Sequence, residues 1–417
     1  MIKQLFHRMG PVGRQALILA GGNGIFYFAW AFACYQTVYL QNVGFSASSL
    51  GVVNAICSAV GIASVAFWGM VSDKTGSLRR VLIIVLAGNS ILYALIPQIP
   101  TGLAVSQLLL FCYVPVVNFF RASMTTYADN LLVRNCNELG LNFGVLRSVG
   151  SLLFTVSSLM AAAWLPTLGV RNTFWLTGVL MIVPILFTAF SREPAARAVE
   201  KKSGGKKEKN KLNLGELFQN KAYMAFLIFG FLFYIAAACG GNYIPFFMES
   251  IGVDSQQYGV ILAYRAILEI PFLVLMLRLR RKFSLRVMVL GAAVLMSLES
   301  LGFGFFANSL STMLLFCTFF GLGNGLFLGS SANYIYELAP SHLKASAQAF
   351  FTSVASVAGI LGNLLGGVVY DAIGAKPFYL LVGGIYLLSA GVFLVSFRRK
   401  SAGQNGAGKD RTEPTVP

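Results

Sequence analysis

The sequence predicts an all-α membrane protein in which twelve transmembrane helices form two six-helix bundles, with both termini in the cytoplasm. The chain is 56% hydrophobic and only 11% charged, with a mean hydropathy of +0.71. Soluble domains carry about a quarter charged residues, so this composition excludes an ordinary soluble fold. A basic polar segment in the middle of the chain separates two apolar halves.

Twelve apolar stretches approach or exceed the roughly 20 residues that a helix needs to cross the hydrocarbon core. They lie at residues 15–39, 47–71, 80–97, 102–133, 141–165, 171–190, 220–246, 255–277, 285–306, 309–337, 344–371 and 376–396. Only helices and closed barrels can cross a bilayer. The alternation of a barrel strand is absent from these stretches, so we predict helices, numbered here as spans 1 to 12.

Positive charge is distributed unevenly along the chain, whose net charge is +17. With the N-terminus inside, 27 of the 32 Lys and Arg residues fall in cytoplasmic segments. Three fall in spans (Arg121, Arg147, Arg265) and two in outer loops (Arg171, Lys376). This asymmetry fixes the orientation and explains the basic charge without nucleic acid. The expected partners are the lipid bilayer and a small-molecule solute, and a monomer is expected.

Polar composition divides the chain into four parts. Residues 1–190 form the first predicted bundle, and residues 191–219, rich in Lys, Gly and Glu, form a basic cytoplasmic linker. Residues 220–397 form the second bundle. Residues 398–417 are predicted to be a disordered cytoplasmic tail.

The two predicted bundles repeat each other. Residues 39–51 align with 247–259, and Ser77–Arg79 aligns with Ser284–Arg286, at an offset near 206. These matches indicate a parallel repeat. In transporters built this way, the solute site lies near the midplane between the repeats, which rock to expose it on alternate sides.

No signature of an enzyme or a cofactor protein occurs in the sequence. The six cysteines lack CxxC spacing, which argues against a disulfide framework and a metal site. No P-loop, haem-binding His pair or catalytic triad is present. We therefore expect no catalytic residue, metal or cofactor, and a proton gradient as the driving force.

A short loop motif stands between spans 2 and 3. Its six defining residues are Gly69, Asp73, Lys74, Gly76, Arg79 and Arg80. They resemble the G-x-x-x-D-[RK]-x-G-[RKx]-[RK] signature of the major facilitator superfamily. Glycine permits close helix approach and a tight turn, and the acid can sit at a helix end. The resemblance implies that this loop latches the outward-facing state.

Span 5 carries a more specific motif. Asn142–Ser151 resembles the [YF]-G-x-x-R-x-x-G-S pattern of the lactose permease and related oligosaccharide and nucleoside proton symporters. In that family, an acid eighteen residues before this Arg joins it in holding sugar hydroxyls, which corresponds here to Asp129 and Arg147. Glu269 on span 8 and the run Tyr336–Pro340 are also shared.

Several positions depart from that family. Its His and Glu on span 10 are replaced by Phe320–Gly325, which has no titratable side chain. Glu299 stands in place of the Arg of span 9, residues 231–242 lack the Asp pair of span 7, and Phe154 replaces the Trp of span 5. Lactose is therefore a poor candidate, and a copied proton relay is excluded.

Six ionisable groups lie well inside spans: Arg121, Asp129, Arg147, Arg265, Glu269 and Glu299. Each would cost roughly 3 kcal/mol if unpaired, so pairing is predicted for all six. Arg265 and Glu269 are four residues apart and can pair on one helix face, and Arg121 or Arg265 could instead meet Glu299. For the groups in these alternative pairs, a structural role and a role in proton coupling are both possible.

Asp129 and Arg147 are the leading candidates for solute contact. A planar guanidinium and a carboxylate together suit the neighbouring hydroxyls of a sugar or ribose. A carboxyl in a low-dielectric cavity can carry a proton near neutral pH. Glu269 and Glu299 lead as proton carriers, with Asp129 third.

Further polar and aromatic side chains could complete the lining. They are Asn23, Tyr27, Trp30, Tyr35, Asn118, Asn242, Asn324 and Asn333. An intramembrane Asn often clasps two helices, so only a minority should touch solute. Trp30 or Phe154 could stack on a ring face.

The sequence thus favours a proton-coupled carrier of a small polar solute, a sugar, glycoside or nucleoside, in a bacterial inner membrane. A proton-coupled efflux carrier for amphipathic compounds is the alternative, favoured by the many Phe and Met residues. Three buried Arg also permit an organic anion carrier. A non-transporting sensor would be a different class, and the intact loop motif argues against it.

Overall fold

The computed structural model describes residues 10–101, 104–193, 215–340 and 342–406, and no strand occurs among them. Short helices span Gly215–Gln219 and Ile244–Ser250. The long helices are α1 (Pro11–Asn42, interrupted at residues 34–35), α2 (Ala47–Thr75), α3 (Leu78–Gln98), α4 (Ala104–Leu139), α5 (Phe143–Leu168), α6 (Asn172–Phe190), α7 (Lys221–Asn242), α8 (Tyr258–Lys282), α9 (Leu285–Phe306), α10 (Leu310–Leu338), α11 (Lys344–Ile373) and α12 (Ala375–Gly406).

Eleven of the described helices are long and apolar enough to cross a membrane. Helix α8 is not among these eleven, and its sequence includes Arg265, Glu269 and the basic run Arg280–Lys282. Its 25 residues nevertheless give a length of about 37 Å. It packs between α5 and α10 inside the bundle.

Each half of the chain packs mainly within itself. In the first half, α1 lies against α5 and α6, α3 against α4 and α6, and α2 against α4. In the second half, α7 lies against α11 and α12, α9 against α10 and α12, and α8 against α10. The halves meet mainly through two helix pairs, α2 with α11 and α5 with α8. The two pairs are equivalent under the repeat, because α8 is six helices after α2 and α11 is six helices after α5.

Two glycines allow close contact between the halves. A Cβ on Gly51 of α2 would lie 2.8 Å from the Tyr243 hydroxyl and would also collide with the Asn363 carbonyl. A Cβ on Gly259 of α8 would collide with the Ser158 carbonyl of α5. Both contacts lie at the end of the bundle that holds the α1–α2 and α7–α8 connections, hereafter the closed end. Only glycine permits such an approach.

Some predicted boundaries change in the structure. Span 7 was expected to continue to residue 246, but α7 ends at Asn242 and a separate short helix starts with Ile244 and Pro245. Proline is accommodated in the first turn of a helix and not in its interior. At the other end of the chain, α12 continues to Gly406, so residues 398–406, predicted as tail, are helical. Helical backbone bonding does not require apolar side chains.

Parts of the predicted linker and tail lie outside the described residues, namely 194–214 and 407–417. Of the linker, residues 191–193 close the first half and Gly215–Gln219 opens the second. The division into two bundles at this linker stays a prediction.

Candidate functional site

A cavity of about 870 Å³ lies between the halves, bounded by α2, α4, α7 and α11. It extends from Asn54 and Asn363 near the closed end to Val65 and Thr352 farther along the bundle. Its polar lining is neutral: Asn54, Cys57, Ser58, Asn118, Thr126, Asn242, Thr352, Ser353, Ser356 and Asn363. The volume falls in the usual range for small-molecule sites, about 300–1,000 Å³. A wall of amides and hydroxyls can exchange hydrogen bonds with a neutral polar solute.

Two predicted site residues lie in this wall and also clasp helices. The amide of Asn118 donates to the Cys57 carbonyl at 2.7 Å. The amide of Asn242 donates to the Asn363 side chain at 2.5 Å, and Asn363 donates to Ser58 across the halves at 3.3 Å. The wall is therefore held in place by its own hydrogen bonds.

Asp129 and Arg147 form an ion pair between α4 and α5, with Arg147 Nε 3.4 Å from Asp129 Oδ1. Asn142 caps the start of α5, one turn before Arg147, by accepting from the Val145 amide. The Asp129 and Arg147 side chains are 38% and 31% exposed. The guanidinium lies 4.0 Å from the centroid of the Tyr27 ring. Both side chains thus stay partly accessible, with Asp129 inside α4 and Arg147 in the second turn of α5.

The second half contributes an acid to the same region. The amide of Asn324 on α10 donates to the carboxylate of Glu269 on α8. Glu269 is close enough to Arg147 for their charges to interact. Because Arg147 belongs to the first half and Glu269 to the second, this charged cluster lies at the interface of the halves.

Arg265 pairs with Glu299 inside the second half. Their side chains are only 8% and 5% exposed, and the Arg265 guanidinium lies 4.0 Å from the centroid of the Phe320 ring. Of the alternatives left open by the sequence, Arg265 therefore meets Glu299 on α9, and Glu269, four residues away, is bonded by Asn324.

For Arg121, the prediction of an opposite charge is wrong within the described part of the chain. Its guanidinium donates to the Gln36 side chain at 2.6 Å and to the Ala33 carbonyl at 3.0 Å. It lies 4.9 Å from the Trp30 ring and 5.4 Å from the Tyr93 ring. The interruption of α1 leaves unpaired carbonyls with partial negative charge, and these neutral groups take the place of a carboxylate.

Other predicted lining residues have packing roles. Asn23 is buried and donates to the Leu146 carbonyl at 3.2 Å, which clasps α1 to α5. Asn333 accepts from Arg280 at 3.3 Å, toward the end of α10. Phe154 is partly buried in the aliphatic and aromatic core of the first half.

The predicted loop motif forms the turn between α2 and α3. Helix α2 ends at Thr75, and Gly76 follows with φ = 62°, a left-handed conformation that favours glycine. A Cβ on Gly69 would lie 3.5 Å from the Tyr127 hydroxyl of α4, which is ordinary contact. The motif's other polar residues Asp73, Lys74 and Arg80 are exposed.

Arg79 is the anchored member of the motif. Its Nε lies 3.5 Å from Glu193 Oε2, and its guanidinium donates to the Ser191 carbonyl at 3.0 Å. Ser77 donates to the same carboxylate at 2.6 Å. The start of α3 is thus tied to the end of α6, and Asp73 is left exposed in this conformation.

Some site residues were not singled out by sequence reasoning. Asn54, Ser58, Thr352 and Ser353 are uncharged polar residues in apolar spans, and only their convergence on one cavity distinguishes them. Gln36 and Tyr93, the partners of Arg121, gave no signal either, because nothing in the sequence marks the interruption of α1.

Comparison with known proteins agrees with this architecture. Residues 24–381 match the MFS_1 like family. The chain is 24% identical over 363 residues to an uncharacterized transporter of Bacillus subtilis (strain 168), covering 84% of each chain. It is 23% identical to the maltose permease of Geobacillus stearothermophilus, covering 91% of this chain and 95% of the permease.

A solved structure of the nucleoside transporter NupG has a TM-score of 0.76 with 18% identity, covering 93% of this chain and all of that one. At this identity the likeness shows the fold alone. The family match spans most of the chain and the relatives are permeases and transporters, so the protein is a multi-pass membrane transporter and not an enzyme. The chain belongs to the MFS_1 like family.

Proposed function

We propose that this protein moves a small polar solute, a sugar, glycoside or nucleoside, across a bacterial inner membrane by proton symport. The ion pair of Asp129 and Arg147 beside Glu269 carries this proposal, because it offers acceptors and a fork of donors at the interface of the halves. The neutral wall of the adjacent cavity adds further hydrogen-bonding groups for hydroxyls. The names of two relatives are consistent with such a solute. They are the maltose permease of Geobacillus stearothermophilus and the sucrose permease of Escherichia coli.

In this proposal all twelve long helices cross the membrane, including α8, and both termini are cytoplasmic. The closed end then faces outward and the cavity is reached from the cytoplasm. Transport requires the contacts of α2 with α11 and of α5 with α8 to separate at the closed end while the halves approach each other at the opposite end. The exposed Asp73 motif lies at that opposite end, where it would hold the outward-facing state.

Glu269 is the proposed proton carrier. It is partly exposed, its carboxylate accepts from the neutral Asn324, and it lies within range of Arg147. Glu299, in contrast, is almost fully buried against Arg265. Protonation of Glu269 would leave Arg147 free to bind solute together with Asp129, which couples the two events. Removing one charge from the buried Glu299 pair would instead carry a large desolvation cost.

The test uses purified protein in liposomes with an inward pH gradient and a panel of labelled sugars and nucleosides. We expect one class of compound to accumulate only with the gradient. Asp129→Asn should lose both solute binding and uptake, whereas Asp73→Asn should keep binding and lose uptake, because Asp73 is exposed away from the cavity.

Other outcomes would overturn the proposal. Expulsion of an amphipathic dye with no movement of any polar compound would establish the efflux alternative. Uptake of a charged organic acid in exchange for another would establish an anion carrier. Binding by native protein with no flux in either direction would indicate a sensor.

A further inference from the structure

Helix α1 is interrupted at Cys34 and Tyr35, next to the closed end. The Tyr35 amide bonds to the Phe32 carbonyl at 3.2 Å, a tight turn, and the helix resumes at Gln36. The carbonyl of Ala33 is consequently freed, and it accepts from the Arg121 guanidinium and from the Tyr93 hydroxyl, each at 3.0 Å. Two donors from neighbouring helices therefore hold the interruption in place.

Tyr35 joins this interruption to the other half of the protein. Its side chain is fully buried, and its hydroxyl accepts from the Gly259 amide at 2.8 Å. The same hydroxyl donates to the Gln256 carbonyl at 2.9 Å. A Cβ on Gly259 would collide with this hydroxyl, so the contact depends on glycine. One tyrosine thus ties α1 to the N-terminus of α8 at the closed end.

The second half has a tyrosine at the equivalent interruption, after α7, although this tyrosine bonds within its own half. Tyr243 follows α7 directly, and its hydroxyl donates to the Asn363 carbonyl at 2.8 Å. Gly51 of the first half packs against that same hydroxyl. Tyr35 and Tyr243, like Gly259 and Gly51, occupy equivalent positions of the sequence repeat. Because the tyrosine and the helix interruption occur in both halves, we expect them to have a functional role.

Arg121 lies at the other side of the interruption, close to the cavity. It is partly exposed, and its neighbours on α4, Asn118 and Ala122, line the cavity. Its charge also reaches Cys57, another lining residue. The guanidinium donates to Gln36 as well as to Ala33, so it holds both sides of the interruption.

We infer that Arg121 and Tyr35 are positioning residues that link occupancy of the cavity to closure of the far end, through the interruption of α1. Solute oxygens that draw the guanidinium toward the cavity would release Ala33 and Gln36. The segment after the interruption would then relax, and Tyr35 would withdraw from Gly259. This inference rests on the proposed transport function, but its first test needs no transport.

That test is amide hydrogen exchange on the full chain in lipid nanodiscs. Tyr35→Phe removes the acceptor of the Gly259 amide and keeps the ring, so exchange of peptides covering residues 256–262 should rise roughly fivefold. Tyr39→Phe is the matched control, because Tyr39 is buried in the same helical segment and its hydroxyl has no partner among the described residues. Unchanged exchange at Gly259 in Tyr35→Phe would overturn the inference.

The linkage itself is tested with Arg121→Met, which cannot donate to Ala33. Exchange around Gly259 should rise as it does in Tyr35→Phe, and the double variant should exchange no faster than Tyr35→Phe alone. If Arg121→Met does not fold, Arg121→Lys, which keeps the charge and loses the fork, should give a smaller rise. Altered exchange near residue 33 with none at Gly259, or additive effects in the double variant, would overturn the linkage.

A transport measurement then separates this inference from the proposed function. If native protein transports a solute, Tyr35→Phe should bind it with unchanged affinity and carry it several times more slowly. Loss of binding would overturn the assignment of Tyr35 as a positioning residue. If native protein transports nothing tested, the proposed function fails while the exchange result still decides the linkage.

Discussion

Asp371 of α11 caps the N-terminus of α2 in the opposite half through Ser48. One carboxylate oxygen accepts from the Ser48 amide at 2.8 Å and from the Ser48 hydroxyl at 2.5 Å. The other accepts from the Ala47 amide at 3.3 Å. A negative charge at a helix N-terminus is favoured by the helix dipole. Charge therefore stabilises the closed end, in addition to the packing of glycines and tyrosines.

Asp371→Asn should loosen the closed end. Asn keeps an acceptor and loses the charge, which forfeits about 0.3–1 kcal/mol of the interaction with the helix N-terminus. We expect amide exchange at Ala47 and Ser48, whose amides donate to Asp371, to rise roughly twofold to fivefold. Asp254→Asn is the control, because Asp254 is exposed at the same end and its side chain accepts from the nearby Gln256 amide of its own half. If both substitutions raised amide exchange at the start of α2 equally, the contact between Asp371 and the opposite half would not specifically stabilise the closed end.

Gly51→Ala should prevent full closure between α2 and α11. The added methyl group would meet the Tyr243 hydroxyl and also the Asn363 carbonyl and the Gly367 backbone, two main-chain groups of α11 that can give way only if the helices separate. Cross-linking of the halves at the closed end should fall, together with any solute transport.

Gly359→Ala on α11 provides the matched control for that substitution, since no atom of the described residues lies within 4 Å of its added Cβ. It should be neutral or slightly stabilising, because Ala favours a helix over Gly. Normal closure in Gly51→Ala would show that the helices repack, contrary to this account.

Most of the architecture could be predicted from apolar length and from the repeat. The resemblance to sugar and nucleoside symporters also associated Asp129 with Arg147, and this ion pair is present. Boundaries that depend on backbone detail were less accessible. The interruption of α1 at Cys34 and Tyr35 contains neither Pro nor Gly, so no local signal marks it.

Partner choice among buried charges could not be derived from sequence. Arg265 has Glu269 one helical turn away, yet it pairs with Glu299 on another helix, because tertiary packing determines which carboxylate shares its buried environment. Arg121 shows the same limit more strongly, since carbonyl and amide oxygens replaced the expected acid. The number of buried charges predicts that each needs a partner of opposite charge or polarity, but it does not identify that partner.

Glu299→Gln should destabilise the protein strongly. Removing one partner of a buried ion pair typically costs about 3–5 kcal/mol, because Arg265 would keep an uncompensated charge. Thermal unfolding in detergent should show a clearly lower midpoint. The double variant Arg265→Met with Glu299→Leu should recover much of that loss, since well-packed apolar residues often replace a buried pair without cost.

Glu216→Gln is the exposed counterpart of that substitution, because Glu216 pairs with His342 at the protein surface. Its effect on the midpoint should be close to zero, as for most exposed ion pairs. A double variant no more stable than Glu299→Gln would indicate that Arg265 and Glu299 serve a purpose beyond mutual neutralisation.

Glu269→Gln should uncouple transport from the proton gradient and spare the solute site. Gln resembles the protonated acid in shape, and its side-chain oxygen can still accept from Asn324. Arg147 would then remain available to solute at every pH. We expect the variant to exchange labelled for unlabelled solute across the liposome membrane at a rate near that of native protein, and to lose accumulation driven by an inward pH gradient.

Asp129→Asn in the same assay should lose both activities, because it removes a solute ligand. Accumulation retained in Glu269→Gln would exclude this acid as the carrier and leave Asp129 as the candidate, since Glu299 is confined to its pair with Arg265.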